Sequence, residues 1–210
     1  MPLHPPIEPY DAGTLTTDDG QTLHWETCGN PDGRPALDLH GGPGSGASAG
    51  ARRYYDPERY RIVLLDQRGC GRSRPLASDP DPAVREDAAR EWCRWEDTHV
   101  SLAPGHRPSR RYEDPAFRLV FARLVTHYWW HAAFLPHDAL LRGVTRLAGI
   151  PGTLVHGRYD VSGPPDIAWD LHRRWPGSEL RIIDDAGHGG AGAFTDAVVD
   201  ALDRAADRPR

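Results

Sequence analysis

The pattern of apolar and polar residues predicts short strands that alternate with helices along the chain. Polarity alternates around Asp18-Asp19-Gly20 over residues 13–17 and 21–27, which is typical of a β-hairpin. Short apolar runs predict further strands at residues 36–39, 60–65, 152–155 and 180–183. Helical periodicity follows at residues 83–101, 117–128, 138–147, 167–175 and 194–202. This alternation indicates an α/β protein.

The first predicted helix and the third predicted strand each carry a specific expectation about burial. Ala88, Trp92, Trp95 and His99 form one stripe at helical spacing, and we expect Trp92 to belong to the core. Asp38 lies inside the strand at 36–39, where a parallel strand that is covered on both faces should be apolar. A buried carboxylate is costly without a partner, so Asp38 should be protonated, find a partner or lie in an edge strand. The sequence leaves these alternatives open.

Composition excludes several functional classes. The chain has 210 residues and a net charge of −5, and charges of both signs are interspersed, so no basic face indicates nucleic-acid binding. No apolar run is long enough to span a membrane, and the first residues do not resemble a signal peptide. Cys28, Cys70 and Cys93 are an odd and sparse set, which favours reduced thiols and a cytoplasmic location.

The residues indicate neither a cofactor nor a metal. His127 and His131 are four residues apart and could share a metal on one helix face. They lack the intervening Glu of the zinc-peptidase motif and have no obvious third ligand, so we expect a structural or solvent-facing role.

A glycine-rich loop, His40-Gly41-Gly42-Pro43-Gly44, follows the strand at 36–39. Three glycines in five residues allow positive φ angles and expose backbone N–H groups, which can hold an oxyanion. A glycine cluster alone would rather indicate a tight strand-to-helix turn without chemistry. The later segments favour chemistry, because one strand is followed by Asp160 and the last strand is followed by His188. In the chain order of an α/β-hydrolase triad, the acid and the histidine follow the nucleophile.

Together these motifs resemble the proline iminopeptidases, which are serine peptidases of the α/β-hydrolase fold. The resemblance runs from about Asp11 to about Leu202 and depends on five segments: HGGPG at 40–44, DQRGCGRS at 66–73, Trp95-Glu96, HGRYD at 156–160 and AGH at 186–188. It implies release of N-terminal proline from peptides. It also implies roles for four residues: His188 as general base, Asp160 as its partner, the backbone N–H of Gly42 as half of an oxyanion hole, and Glu96 as the partner of the substrate's α-ammonium group.

One segment of the family pattern, the nucleophile elbow G-G-S-W-G, has no counterpart in this sequence. Instead, residues 78–82 lead directly into a segment that resembles the second half of the family's helical cap. We therefore interpret the chain as a family member with an internal deletion whose ends meet near residues 79–85. This interpretation predicts a truncated α/β-hydrolase fold, with a mostly parallel sheet, flanking helices and a remnant of a helical cap. The core parts would be residues 1–80 and 149–210, and the cap remnant residues 81–148.

Ser48 is the one serine whose neighbouring residues match a nucleophile motif. Gly46-Ala47-Ser48-Ala49-Gly50 matches G-x-S-x-G, but a working elbow needs a strand directly before the serine and a helix directly after it. The preceding residues are the glycine loop itself, so we do not expect Ser48 to act. In addition, Val125 occupies the position of the second acid that the family uses to bind the amine. We therefore expect this form to be inactive. The alternatives are a non-catalytic remnant or decayed gene product, or a fragment that needs a complementing chain.

The expected partners follow from this interpretation. An active form would bind a peptide or small molecule with an N-terminal proline, and neither nucleic acid nor membrane is expected. The family fold places a strand between the strands at 36–39 and 152–155, and the deletion removes it. We expect these two strands to pair directly if the chain is compact, and the chain to self-associate through its exposed core if it is not.

Overall fold

The computed structural model describes residues 2–18, 20–41, 44–74 and 82–208. Within these residues the chain forms two compact units. The larger unit consists of Leu3–Arg94, Arg110–Trp130 and the residues from Leu202 onward, and the smaller unit consists mainly of Trp95–Ser109 and His131–Ala201. Of the junction that the sequence places near residues 79–85, residues 79–81 lie outside the described residues and residues 82–85 are helical.

The larger unit contains a four-stranded mixed sheet with the strand order β1-β2-β4-β3. Its strands are β1 (Asp11–Thr16), β2 (Thr22–Gly29), β3 (Arg34–Leu39) and β4 (Tyr60–Leu65). Strands β1 and β2 form the predicted antiparallel hairpin, and β2 also pairs with β4 in antiparallel orientation. Strand β3 lies parallel to β4, with Ala36 opposite Ile62.

The core of the larger unit follows from the alternation along β4. Tyr60, Ile62 and Leu64 point to one face and are fully buried, and they pack with Cys28 of β2 and with Tyr55. A second buried cluster joins the helices α1 (Pro82–His99) and α2 (Pro115–Trp130) through Ala89, Cys93, Phe121, Ala122 and Val125.

The buried face of α1 differs from the prediction. The sequence pattern assigned Trp92 to the core, but Trp92 is only partly buried against the helix cluster, and Trp95 on the same stripe is 48% exposed. The buried side chains are instead those of Ala89, Cys93 and Glu96. Apolar residues occur on more than one face of this helix, so the periodicity did not fix its rotation.

The smaller unit contains two parallel strands, β5 (Gly152–Gly157) and β6 (Ser178–Ile183). The helix α4 (Pro165–Arg174) connects them along the chain, α3 (Ala139–Gly143) precedes β5, and α5 (Ala193–Ala206) follows β6. Gly157 is the only fully buried residue of these two strands. None of the described helices has both the length and the apolar character that are needed to cross a membrane.

The expected direct pairing of the strands at 36–39 and 152–155 is wrong for the described residues, because β3 and β5 belong to different sheets. Each strand pairs with a strand that is close in sequence, β3 with β4 and β5 with β6. Closing a short loop costs less chain entropy than closing a long one, which favours these nearer pairs.

Strand β3 is therefore an edge strand among the described residues, so Asp38 lies in an edge strand, and it also has a hydrogen-bond partner. The hydroxyl of Tyr55 donates a hydrogen bond to Asp38 Oδ1 at 3.1 Å. Burial raises the pKa of Asp38 above its usual range. On the opposite face of β3, Leu37 and Leu39 are 57% and 59% exposed.

The three cysteines are free and buried. Burial raises the pKa of both Cys28 and Cys70 to about 11. These thiols are therefore almost entirely protonated at neutral pH, and they behave as small apolar side chains in the larger unit.

Candidate active site

Asp160 and His188 lie close together at the ends of β5 and β6. Because the two strands are parallel, the loops that follow them leave the same edge of the sheet. His188 Nδ1 lies 3.0 Å from Asp160 Oδ2. The Asp160 side chain is 7% exposed and the His188 side chain is 58% exposed. The structure thus forms an acid–histidine pair in which the carboxylate is buried and the imidazole reaches solvent.

Close backbone contacts bring the two loops together. Arg158 N–H donates to Ile183 O at 2.9 Å, and Tyr159 N–H donates to Ala186 O at 2.8 Å. A Cβ atom at Gly157 would overlap the carbonyl oxygens of Ala186 and Gly187. Glycine is therefore required at the end of β5, since any larger residue would separate the loops that carry Asp160 and His188.

A second histidine, His156, belongs to the same site, and the sequence analysis gave it no role beyond the HGRYD segment. Its Nε2 lies 2.7 Å from Gly163 O and 3.7 Å from Asp160 Oδ2. The N–H of Gly163 donates in turn to Asp160 Oδ1 at 2.9 Å. Both backbone polar atoms of Gly163 are therefore hydrogen-bonded. Its N–H binds Oδ1 of Asp160, so Oδ2 of the same carboxylate can bind His188. The spacing of four residues between His156 and Asp160 was the only indication in the sequence.

The segment after α1 packs against this site. Ser101 forms an isolated antiparallel bridge with Asp160, and Leu102 N–H donates to Tyr159 O at 3.0 Å. A Cβ atom at Gly187 would overlap Ser101 Oγ. Ser101 therefore lies against the backbone of the loop that carries His188, and Ser101 and Leu102 both contact the loop that carries Asp160.

Glu96 is also in the smaller unit, near the C-terminal end of α1. It is 8% exposed, and its Oε2 is buried without a hydrogen-bond partner among the described residues. A buried carboxylate oxygen without a donor is unfavourable, so this position is suited to a positively charged or donor group. Val125, at the position where the resemblance predicts a second acid, is 1% exposed in the core of the larger unit.

The glycine loop belongs to the larger unit, where hydrogen bonds of its first residue, His40, fix the start of the loop. Gln67 N–H donates to His40 Nε2 at 3.0 Å, so the ring proton lies on Nδ1, which is 2.9 Å from Gly41 O. The side-chain amide of Gln67 donates to His40 O. Gly42 and Pro43 lie outside the described residues, so the oxyanion role of Gly42 stays a prediction.

The loop after β4 is fixed by a buried ionic network. Asp66 Oδ1 accepts the N–H of Ala47 at 2.6 Å, and its Oδ2 accepts Arg72 Nε at 2.7 Å. Arg72 and Arg52 both donate to Glu26, which is 2% exposed. Burial alone would raise the pKa of Asp66 and of Glu26, but these hydrogen bonds outweigh it and hold both pKa values below their usual range.

Ser48 does not occupy an elbow. Strand β3 ends at Leu39, well before Ser48, and the intervening described residues form no strand. Ser48 O accepts the N–H of Ala51 at the start of a short 3₁₀ helix, Ala51–Tyr54. Among the described residues, no group of three or more His, Cys, Asp or Glu side chains could hold a metal ion.

Curated proteins similar to this chain share one name. A Streptomyces coelicolor protein named "Probable proline iminopeptidase" is 35% identical over 317 aligned positions, covering 97% of this chain and 98% of that protein. A Xanthomonas citri proline iminopeptidase is 33% identical and covers 98% of each chain. An Arabidopsis thaliana proline iminopeptidase is 32% identical over 89% of this chain and 77% of its own length.

Solved structures with a similar fold were also found. A hydrolase from Pseudomonas aeruginosa matches with a TM-score of 0.61 at 14% identity, covering 94% of this chain and 97% of that one. A Bacillus subtilis carboxylesterase matches with a TM-score of 0.58 at 14% identity, covering 87% and 86%. No protein-family model matches the chain. The structural matches confirm the predicted α/β-hydrolase fold class, and the curated relatives show that this chain belongs to the proline iminopeptidase family.

Proposed function

We propose that this chain derives from a serine-type aminopeptidase that releases N-terminal proline from peptides, and that it lacks this activity on its own. The hydrogen bond between His188 Nδ1 and Asp160 Oδ2 carries the proposal. In this arrangement His188 would take the proton of an attacking hydroxyl, and Asp160 would fix the ring tautomer and stabilise the imidazolium that forms. The names of the curated relatives support the substrate class.

Glu96 would hold the free amine of the substrate. A terminal ammonium group that enters a partly dry pocket needs a carboxylate partner, and Glu96 Oε2 is buried without one. With Val125 at the position of the second acid, only one of the two expected carboxylates is present. Amine binding should therefore be weaker than in a family member that has both.

The proposed inactivity depends on the missing nucleophile. The alignment with the Streptomyces coelicolor protein spans 317 positions, more than the 210 residues of this chain, which supports an internal segment without counterpart here. The environment of Ser48 supports the same interpretation, because Ser48 does not lie between a strand and a helix. Loss of a triad member removes most of the catalysed rate.

Hydrolysis of a proline arylamide tests this proposal. We expect the purified chain to release no more arylamine than buffer does, whereas the Xanthomonas citri relative, assayed in parallel, should turn the substrate over. Turnover by this chain that disappears in Ser48→Ala would show that Ser48 is the nucleophile after all, and would refute the inactivity.

A complementing chain is a second candidate, and the open edge of β3 favours it. Strand β3 has no second partner strand among the described residues, and Leu37 and Leu39 are exposed on one face. Unpaired backbone groups and exposed leucines together form a surface that another strand could cover. Copies of this chain could also associate through it.

Adding the segment in trans distinguishes these possibilities. The added polypeptide would be the segment of the Streptomyces coelicolor protein that aligns with no residue of this chain. Complementation predicts arylamide hydrolysis that requires both polypeptides and is lost in His188→Ala. A non-catalytic remnant predicts no turnover, and self-association predicts elution from a sizing column above the mass of one chain. We also propose a cytoplasmic location, which the absence of a disulfide among Cys28, Cys70 and Cys93 supports.

A further inference from the structure

The two ring nitrogens of His188 have different environments. Nδ1 lies 3.0 Å from Asp160 Oδ2, and an ionised carboxylate can only accept, so the proton of the neutral ring is on Nδ1. Nε2 then carries a lone pair, and it receives no hydrogen bond from the described part of the chain. With the side chain 58% exposed, this lone pair is accessible to a molecule in solution.

The carboxylate that orients this ring is itself held in place. The Asp160 side chain is 7% exposed, and Gly163 N–H donates to its other oxygen at 2.9 Å. His137 offers an internal comparison, because its Nδ1 lies 2.9 Å from Asp138 Oδ2, but these side chains are 93% and 50% exposed. Water screens the exposed pair, whereas the buried carboxylate holds His188 in one tautomer.

We propose that His188 is itself a nucleophile that hydrolyses activated aryl esters, without any serine. Imidazole is one of the side-chain groups that form covalent intermediates, and its reactivity depends on an unprotonated nitrogen. The buried Asp160 supplies this condition by keeping the proton on Nδ1. The activity does not depend on the proposed peptidase lineage, because it uses neither an elbow nor an amine site.

The reaction proceeds in two balanced steps. In the first, the Nε2 lone pair attacks the ester carbonyl carbon, the bond from that carbon to the aryl oxygen breaks, and a phenolate leaves with the electron pair. The ring is then acylated on Nε2 and positively charged, and its Nδ1–H still donates to Asp160. In the second, water attacks the acyl carbon, the carbon–Nε2 bond breaks and its electron pair returns to the ring. One proton of that water passes through solvent to the phenolate and the other stays on the carboxyl group, so one ester and one water give one carboxylic acid and one phenol.

The same chemistry excludes arylamides. After attack on an amide, the imidazole is a far better leaving group than the arylamine anion, so the adduct returns to the starting amide. After attack on an aryl ester, the phenolate competes with imidazole as the leaving group. The chain should therefore hydrolyse an activated ester and leave a proline arylamide intact, which separates this activity from that of a serine peptidase.

The test is hydrolysis of p-nitrophenyl acetate by the folded chain. His188→Gln can still donate to Asp160 but has no nucleophilic nitrogen, and we expect it to lower the second-order rate constant at least about tenfold, below the 10²–10⁴-fold typical of positioned groups in complete sites. Asp160→Asn should cause a similar loss, because the amide would donate to Nδ1 and move the ring proton to Nε2. His137→Ala is the matched control and should leave the rate unchanged.

Mass spectrometry of the quenched reaction identifies the acylated residue. Acetylation of the peptide that contains His188, absent from His188→Gln, would support the proposal. Three results would overturn it: a full rate in His188→Gln, a full rate in folded Asp160→Asn, or a loss in His137→Ala as large as that in His188→Gln. Loss of ester hydrolysis in Ser48→Ala, with acetyl on the serine, would also overturn it and would contradict the proposed absence of a nucleophile. Arylamide turnover with no His188-dependent esterase would contradict both proposals, whereas His188-dependent ester hydrolysis without arylamide turnover supports both.

Discussion

The larger unit and the smaller unit are each stabilised internally by different interactions. In the larger unit, every second side chain of β4 is fully buried against Cys28 and Tyr55, and a second cluster joins α1 to α2. In the smaller unit, β5 and β6 bury only Gly157, and apolar side chains such as Ile167 and Trp169 are more than half exposed. The loops that carry Asp160 and His188 are fixed mainly by hydrogen bonds to backbone atoms. Burial therefore stabilises the larger unit, whereas the placement of Asp160 and His188 depends on local polar contacts.

Replacing Glu26 by Ala should have the largest effect on stability. It removes the buried carboxylate partner of Arg52 and leaves only Glu8, which is 90% exposed, beside the buried guanidinium; breaking a buried ion pair costs about 3–5 kcal/mol. Because the pKa of Glu26 is held below its usual range, this contribution is present at neutral pH and is lost as the pH falls below about 4. Urea denaturation at several pH values measures it.

The control lies in the smaller unit, where Asp184 pairs with Arg158 at the surface. These side chains are 80% and 56% exposed, so Asp184→Ala should cost less than about 1 kcal/mol. Equal losses of unfolding free energy in Glu26→Ala and Asp184→Ala would show that burial does not make the ion pair of the larger unit the stronger one.

The apolar cores give the next comparison. Ile62→Ala removes a fully buried side chain from the larger unit and should cost about 2–5 kcal/mol in the free energy of unfolding. Leu180 of β6 is only partly buried, so Leu180→Ala should cost clearly less. A urea midpoint that falls more in Leu180→Ala than in Ile62→Ala would contradict the proposed difference in packing.

A tight contact in the smaller unit should have a smaller effect. Gly187→Ala places a methyl group where Ser101 Oγ lies, and such overpacking costs about 1–3 kcal/mol. Adding Ser101→Gly removes the opposing side chain and should restore much of the loss. Thermal unfolding of the single and double variants measures this coupling, and purely additive losses would show that the two residues do not meet.

The smallest effect should come from the open edge of the larger unit. Asp38→Asn keeps an acceptor for Tyr55 but removes a charge whose ionisation is unfavourable, because burial raises the pKa of Asp38. The variant should therefore be slightly more stable at neutral pH. The gain should vanish as the pH falls below the ordinary pKa of an aspartate, where both side chains are neutral. A gain that persists in acid would assign the effect to something other than ionisation.

The sequence predicted the positions of strands and helices better than the environments of their side chains. The strand at 60–65 agrees with β4 at both ends, since alternating Tyr60, Ile62 and Leu64 define one face. Chain order correctly suggested that Asp160 and His188 would meet, because parallel strands deliver their following loops to one edge. Their catalytic roles stay a prediction.

The remaining features depend on information that a local pattern does not contain. The periodicity did not predict that Ala89 and Cys93 form the buried face of α1, because Trp92 and Trp95 lie on a second apolar face beside it. The position of Asp38 depends on whether another strand covers β3, which is a property of the whole sheet. His156 reaches Gly163 only through the conformation of the loop after β5, and spacing along the sequence does not specify that conformation.

The buried thiols allow the opening of the larger unit to be timed by chemical labelling. Cys28 lies in the β-sheet cluster and Cys93 in the helix cluster, so each thiol reports on a different part of that unit. Only an exposed thiolate reacts with an alkylating reagent, so each cysteine is labelled at the rate at which its own cluster opens. Peptide-resolved labelling kinetics would then show whether the sheet and the helix pair open together or whether one of them opens while the other remains closed.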